Sequence, residues 1–312
     1  MKLKSNSTSR HCRAPLTGAA SLSRPIASRP TDTLEHIGNS LVQHGPLNKR
    51  AYLMHLAPQD EPDIVPRLEQ LAREHGYTKI FAKVQETMAP RFTRSGFSTE
   101  AFVPGMFNGR EGGAFLGRYF ADWRKRPEDP QMLADVLETA HAKAATLSRP
   151  RLPRDAAIVR MTPDQTEHMA ALYAAVFDSY PFPIFDPDYL RRSMATNVRY
   201  YGVLVHGRPV ALASAEMDFT LAAAEMTDFA TLPEYRGRKL AGALLEHMGR
   251  KMQQAGLCTL YTIARAASFG MNITFARAGY VFGGTLPNNT HIAGDLESMH
   301  VWYLSLRPEE TT

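Results

Sequence analysis

The 312-residue sequence contains only two cysteines, Cys12 and Cys258, so it has no disulfide framework and fits a reducing compartment. It contains no run of 18 apolar residues, and nothing in it reads as a membrane-spanning helix. No acidic residue precedes Asp32, whereas Lys2, Lys4, Arg10, Arg13, Arg24 and Arg29 all do. Removing those six cations from the net charge of +5 leaves residues 32–312 near −1, so the body lacks the basic face of a nucleic-acid binder. The first 30 residues lack the apolar stretch of a secretory signal. Rich in Ser, Arg, Pro and Ala, residues 1–31 read as a disordered basic tail, a composition shared with organelle-targeting leaders. His36, His44, His55 and His75 have no metal-ligand spacing, so no metal is expected. These absences point to a cytoplasmic protein with neither membrane nor nucleic acid as a partner.

Two segments of the chain echo each other. Residues 73–97 (REHGYTKIFAKVQETMAPRFTRSGF) and 253–280 (QQAGLCTLYTIARAASFGMNITFARAGY) each run helix end, Gly, apolar strand, polar turn, short helix. Both close on Phe-x-Arg-x-Gly-aromatic, Phe92–Phe97 and Phe275–Tyr280. A repeat of this kind predicts two copies of one supersecondary unit. A polar helix is expected over 130–147, and SRPRLPRD (148–155) reads as a linker, so the second domain begins near Ala156. From there the periodicities predict the order βααβββαβαββ. The strands fall at 156–161, 199–205, 209–219, 224–232, 258–264, 280–286 and 299–306, and the helices at 162–177, 186–197, 237–254 and 268–278. In the 237–254 helix Leu240, Leu244, Leu245, Met248 and Met252 share one stripe, opposite Glu246, Arg250 and Lys251. Cys258, in an apolar strand, is read as a core residue, because burial raises a thiol's pKa.

Between strand and helix lies LPEYRGRKLAGALL (232–245). A basic turn opening a helix presents free N–H groups and the positive end of the helix dipole to an anion. Arg236, Arg238 and Lys239 add formal charge.

Strand order and turn together resemble the GNAT N-acetyltransferase superfamily, whose pyrophosphate loop reads Arg/Gln-x-x-Gly-x-Gly/Ala. Here it runs Arg236-Gly237-Arg238-Lys239-Leu240-Ala241, with Lys239 in place of the central glycine. A residue with helical dihedrals is expected to fit there. Within the superfamily the chain resembles the β-lysine N-acetyltransferases, through SYPFPIFDPDYL (179–190), AEMTDFATLPEYRG (224–237), GGTLPNNTHI (283–292) and ESMHVWYLSL (297–306). The first half joins in through LVQHGPLNKRAYLM (41–54), GYTKIFAKV (76–84) and EAFVPGMFNG (100–109), so the likeness covers most of 35–306.

The resemblance implies an α/β (α+β) GNAT fold: a central mixed sheet flanked by helices, preceded by a degenerate GNAT-like half. The implied divisions are the tail (1–31), the degenerate domain (32–147), the linker (148–155) and the catalytic domain (156–307). Acetyl-CoA is the implied donor and no metal is needed. The implied reaction is direct attack by the terminal amine of β-lysine, giving Nε-acetyl-β-lysine, a compatible solute used in osmoadaptation. A lysine aminomutase would be the metabolic neighbour. Another small diamine or diamino acid, or a non-catalytic acyl-CoA sensor, are the alternatives.

An alkylammonium must lose a proton before it attacks a thioester, and a carboxylate is the usual acceptor. Asp228 and Glu225 are the candidate catalytic bases. Three residues apart, they leave an ideal strand on opposite faces, unless a bulge of the kind the family carries changes the parity. Glu216 and Glu225 are alternative acceptors for the substrate's ammonium groups. The resemblance further implies that the backbone of Phe229, Ala230 and Thr231 meets the pantetheine arm. It implies that Arg236 to Ala241 hold the pyrophosphate, with Ser268 and Asn272 as further cofactor contacts. The family's acid position falls on Phe275, which has no proton to give; Tyr261, Ser268 or water are the substitutes. Tyr180, Asn288, Asn289 and Thr290 offer donors and acceptors to a diamino acid, and Asp186 and Glu297 offer charge. The first half has no such anion loop and is expected to shape the substrate cleft.

Overall fold

The computed structural model describes residues 31–144, 152–292 and 294–306. Residues 1–30 of the basic tail with its six cations, residues 145–147 of the expected helix and the first half of the expected linker (148–151) lie outside the described residues. The chain runs β1 (Thr33–Ile37), β2 (Ser40–Gly45), β3 (Arg50–His55), α1 (Ile64–Glu74), β4 (Lys79–Gln85), α2 (Ala89–Arg94), β5 (Ser98–Phe107), β6 (Glu111–Tyr119) and α3 (Pro130–Ala144). It continues β7 (Ala156–Arg160), α4 (Thr166–Val176), α5 (Pro187–Met194), β8 (Val198–Val205), β9 (Arg208–Asp218), β10 (Ala223–Thr231), α6 (Leu240–Gln254), β11 (Thr259–Arg265), α7 (Phe269–Arg277), β12 (Val281–Ile292) and β13 (Asp295–Ser305). The order βααβββαβαββ holds from β7 onward. No described helix is long and apolar enough to cross a membrane.

All strands join one mixed sheet in the order β1-β2-β3-β4-β6-β5-β12-β13-β11-β10-β9-β8-β7. The two ends repeat one topology. β3 and β4 are parallel and connected through α1; β10 and β11 are parallel and connected through α6. The turn chemistry repeats as well. Gly76 and Gly256 end α1 and α6 at positive φ (64° and 83°), as helix C-termini often do. Past α2 and α7, Gly96 and Gly279 adopt φ of 84° and 82°. The aromatic pairs Phe92–Phe97 and Phe275–Tyr280 meet edge-on, each with centroids 5.2 Å apart.

Each unit buries its helix stripe on the sheet. Leu240, Leu244, Leu245, Met248 and Met252 of α6 form one core with Met226, Leu260, Phe275 and Trp302. Ile64, Leu68 and Leu71 of α1 form another with Leu53, Ile80 and Phe92. Between them, a third cluster on the opposite face joins Tyr52, Phe81 and Phe115 to Tyr261, Met299 and Val301. A twisted sheet of more than about ten strands must curl or split, and this one curls. The Lys83 ammonium on β4 reaches the Tyr261 hydroxyl on β11 at 2.9 Å, although four strands separate them in sheet order.

The halves meet where Gly284 pairs with Ala101. A Cβ on Gly284 would lie 2.2 Å from the Glu100 carbonyl oxygen, so only glycine permits this approach. Side chains clip the seam: the Asn288 amide donates to the carbonyls of Trp123 (3.1 Å), Arg124 (3.3 Å) and Arg126 (2.8 Å). β12 and β13 are longer than the periodicity suggests. The polar run Asn288 to His291 stays in the strand because its bonds go to β13 and to the first half.

Candidate active site

The sheet's curl opens a cleft of about 630 Å³, part of it open to solvent, between the two halves. Gln43, Arg50, Tyr52 and Phe81 line it from the first half; Tyr180, Glu216, Glu225, Asp228, Asn289 and Thr290 line it from the second.

The acids gather through a break in β10. The register against β9 shifts between Thr227 and Ala230, and Asp228 takes φ 54° at the extra residue. An aspartate tolerates this left-handed conformation better than most residues. The bulge restores parity, so Glu225 and Asp228 both face the cleft. Glu216 is the direct register partner of Glu225 across β9 and β10. Three carboxyl groups therefore converge in the cleft wall, Asp228 buried and Glu216 and Glu225 half-buried. Burial, Glu225 and Asp228 push the Glu216 carboxyl up to about 8. Burial also raises Glu225, opposed by the Lys83 ammonium and a hydrogen bond from Tyr261. Asp228 is raised by burial against two donors: Tyr180 Oη gives to Oδ1 at 2.6 Å and Ser214 Oγ gives to Oδ2 at 2.5 Å.

Next to the acids, the sheet parts. β10 and β11 pair only from Ala223–Thr259 to Glu225–Tyr261, although both strands continue. Met226 to Thr231 thus leave their backbone edge toward β11 open, among them the expected Phe229, Ala230 and Thr231. Beyond Thr231 a single 3-10 turn, Pro233–Tyr235, leads into the basic loop. Gly237 has φ 76° and Lys239 φ 61°, ψ 24°. The expectation of helical dihedrals at Lys239 is corrected here: the lysine keeps the left-handed conformation for which glycine is suited. A left-handed residue lets the chain turn sharply enough for α6 to begin at once, and for an L-residue it costs about 1–2 kcal/mol. The first turn of α6 has no side-chain cap and no acid. The N–H groups of Leu240, Ala241 and Gly242 accordingly remain available to an anion. Arg238 stacks on Tyr235 at 4.7 Å, and both Arg236 and Arg238 stay exposed. Charge, open amides and the gap beside β10 suit the pyrophosphate and pantetheine arm of a coenzyme A thioester.

The first half turns differently at the equivalent point. Between β3 and α1 it carries Asp60, Glu61 and Asp63, and the Asp60 carboxylate accepts from the Asn39 N–H (2.6 Å) and Ser40 Oγ (2.8 Å). An acidic turn already filled from within repels phosphate.

Other expected residues lie elsewhere. Asn288 does not line the cleft, its amide being held in the seam. Asn272 is fully buried; it donates to the carbonyls of Arg265, Ala266 and Ser268 and accepts from His300 and Trp302. Ser268 caps α7 through the Met271 N–H. Asp186 caps α5, and Glu297 pairs with Arg265. Phe275 is buried edge-on to Phe229 and Tyr280. Cys258 is half-buried just before β11, outside the cleft lining. Sequence reasoning missed Gln43, Arg50 and Tyr52. The one signal was a cation, Arg50, opening the apolar run Ala51 to Met54.

The acetyltransferase (GNAT) family model matches residues 167–280. The β-lysine N(6)-acetyltransferase of Methanococcus maripaludis is 35% identical over 86% of this chain and 96% of its own length. The N-acetyltransferase YodP of Bacillus subtilis is 33% identical over 84% of this chain and 94% of its own. The β-lysine N(6)-acetyltransferase of Methanosarcina mazei is 34% identical over 60% of this chain and 62% of its own length.

Proposed function

This chain belongs to the GNAT family of acetyltransferases, and from that premise we propose that it acetylates the terminal (N6) amine of β-lysine. The observation that carries the substrate reading is the trio of buried Asp228 and half-buried Glu216 and Glu225 beside the opening between β10 and β11. Three acids converging in one cleft wall repel each other unless protons or cations join them. A dicationic amino acid supplies two such cations. The names of the Methanococcus and Methanosarcina relatives agree with this substrate.

Acetyl-CoA supplies the acetyl group as an activated thioester. The first turn of α6 and the cations Arg236, Arg238 and Lys239 would hold its pyrophosphate. The open edge of Met226 to Thr231 would pair with its arm, and an N–H there would polarise the carbonyl. Glu225 is the group that takes the amine's proton. It lines the cleft at the last paired position before the strands part, whereas both Asp228 oxygens already accept hydroxyls. Glu216 shares the ammonium with it, and Asp228 orders Tyr180 at the cleft wall. The first half, a copy of the same unit whose turn became acidic, forms the opposite wall rather than a second cofactor site. Acetylation changes a substrate of net charge +1 into a neutral zwitterion, as a cytoplasmic compatible solute requires. An aminomutase acting on lysine would supply the substrate.

Release of free CoA from acetyl-CoA, with β-lysine, lysine, ornithine and spermidine offered separately, tests the reading. Saturable turnover strongest with β-lysine is the expected result. Preference for another amine would replace the substrate, and binding of acetyl-CoA without turnover on any amine would replace the enzyme by a sensor.

A further inference from the structure

The cleft has a second pole. Arg50, at the start of β3, lines it while being only 3% exposed. Among the described residues no carboxylate comes within 4.0 Å of its guanidinium. Asp32, the acid that most favours its charge, accepts instead from Asn48 Nδ2 at 2.6 Å. Arg50 Nη1 donates to the Asn289 carbonyl (2.7 Å) and to Thr290 Oγ1 (3.2 Å). Nη2 reaches Gln43 Oε1 only at 3.5 Å, and among the described residues Nε has no partner. Among the same described residues Gln43 Nε2 is equally unpartnered. The guanidinium plane is braced by the rings of Tyr52 (5.1 Å) and Phe81 (5.6 Å).

Burying a cation with no directly paired anion is costly, and Arg50 is held there by its rings and hydrogen bonds. On the Nε–Nη2 edge of its fork Arg50 makes just the long bond to Gln43 among the described residues, and that edge matches the two oxygens of a carboxylate. At the other pole stand Glu216, Glu225 and Asp228, and Tyr52, which braces Arg50, lines the same cleft. An elongated molecule with a carboxylate at one end and an amine at the other is complementary to both poles.

We infer that Arg50, supported by Gln43, Asn289 and Thr290, recognises the carboxylate of the acceptor, so that the first half selects amino acids over plain polyamines. The inference rests on the reading of this cleft as an amino-acid acceptor site. Nothing in the pyrophosphate loop or the acid trio requires a carboxylate; the requirement comes from the other half of the chain.

The test compares β-lysine with 1,4-diaminopentane, which carries hydrogen in place of its carboxylate. Steady-state CoA release and calorimetric binding are measured on the wild-type protein, Arg50→Gln and Arg50→Lys, with melting temperatures alongside. Wild type should prefer β-lysine by about 100-fold in kcat/KM, the value of two charge-assisted hydrogen bonds. Arg50→Gln should erase that preference while leaving the diamine within about threefold of wild type. Arg50→Lys, keeping the charge without the fork, should fall between. Equal use of both ligands by the wild type, or a parallel loss for both in Arg50→Gln, would overturn the inference. The wild-type contrast stands even if Arg50→Gln does not fold, and the binding arm reads it without turnover. If lysine or ornithine surpasses β-lysine but the carboxylate preference still depends on Arg50, the β-lysine reading fails and the inference survives.

Discussion

Glu216 and Glu225 stand directly opposite each other across β9 and β10, both in the wall of one cleft. Like charges at such a pair, with side chains about 5 Å apart, destabilise a sheet unless a proton or cation intervenes. With the Glu216 carboxyl raised to about 8, the folded protein holds a proton there that the unfolded chain releases near its ordinary value of 4.5. Between those values the native state binds more protons than the unfolded state, so stability falls as pH rises. Glu216→Gln should flatten this dependence and stabilise the ligand-free protein at pH 8 by at least about 1 kcal/mol. Thermal melts from pH 5 to 8.5 read it directly. A wild type that gains stability across that interval would mean the pair is not holding a proton.

The roles of the acids separate in the kinetics. Glu225→Gln should lower kcat by about 10²- to 10⁴-fold with little change in the KM for acetyl-CoA, the signature of a lost proton acceptor. Asp228→Asn keeps one oxygen to accept a hydroxyl but replaces the other with an amide donor, so one of the bonds from Tyr180 and Ser214 is lost. Its loss should be smaller and appear mainly in the KM for the amine. The reverse ranking would make Asp228 the acceptor. The kcat/KM of the wild type should rise with pH toward 8 as the raised carboxyl ionises, and Glu216→Gln should move that limb.

Lys239 holds a left-handed conformation, φ 61°, at the head of α6. Lys239→Gly relieves about 1–2 kcal/mol of backbone strain but gives about 0.5–1 kcal/mol back to the unfolded chain. The melting temperature should therefore stay level or rise slightly. The removed ammonium should raise the KM for acetyl-CoA about threefold at low salt, and the difference should vanish at high salt. A clear loss of stability would show that the lysine side chain contributes more than its backbone costs.

Legibility in the sequence followed locality. The α6 stripe, Gly76, Gly96, Gly256 and Gly279, and the paired aromatics are set by neighbours within one or two turns, so period and turn chemistry reveal them. The approach of Glu225 and Asp228 needed one non-local fact, the bulge opposite Ser214 and Leu212. Lys239 defeated the dihedral expectation because the constraint is the angle between β10 and α6, which no propensity encodes. Arg50 was illegible for a stronger reason. Its partners Asn289 and Thr290 lie 239 and 240 residues away, and they meet only because the sheet curls around Gly284. Asn288 and Asn289, adjacent and alike in sequence, part ways for the same cause: the strand sends one to the seam and the other to the cleft wall.

That curl yields the last prediction. At Gly284 the backbone has φ 145°, and a Cβ would meet Glu100 O at 2.2 Å and Ala101 Cα at 2.6 Å. The contacted atoms are main chain and cannot rotate away, so Gly284→Ala must push β5 from β12. The strain should cost about 1–3 kcal/mol. Because β5 carries the first half, the displacement should reach Arg50 and Gln43 relative to Glu225, widening the cleft along its length. The pyrophosphate loop is set by β10, which neighbours neither strand of the seam in sheet order, and by α6, which packs on β8, β9 and β10. Gly284→Ala should therefore raise the KM for the amine at least about tenfold, while binding of acetyl-CoA by calorimetry stays within about twofold of wild type. Equal weakening of both ligands would mean that the seam and the cofactor loop are mechanically one unit, and that the first half supports the fold more than it shapes the cleft.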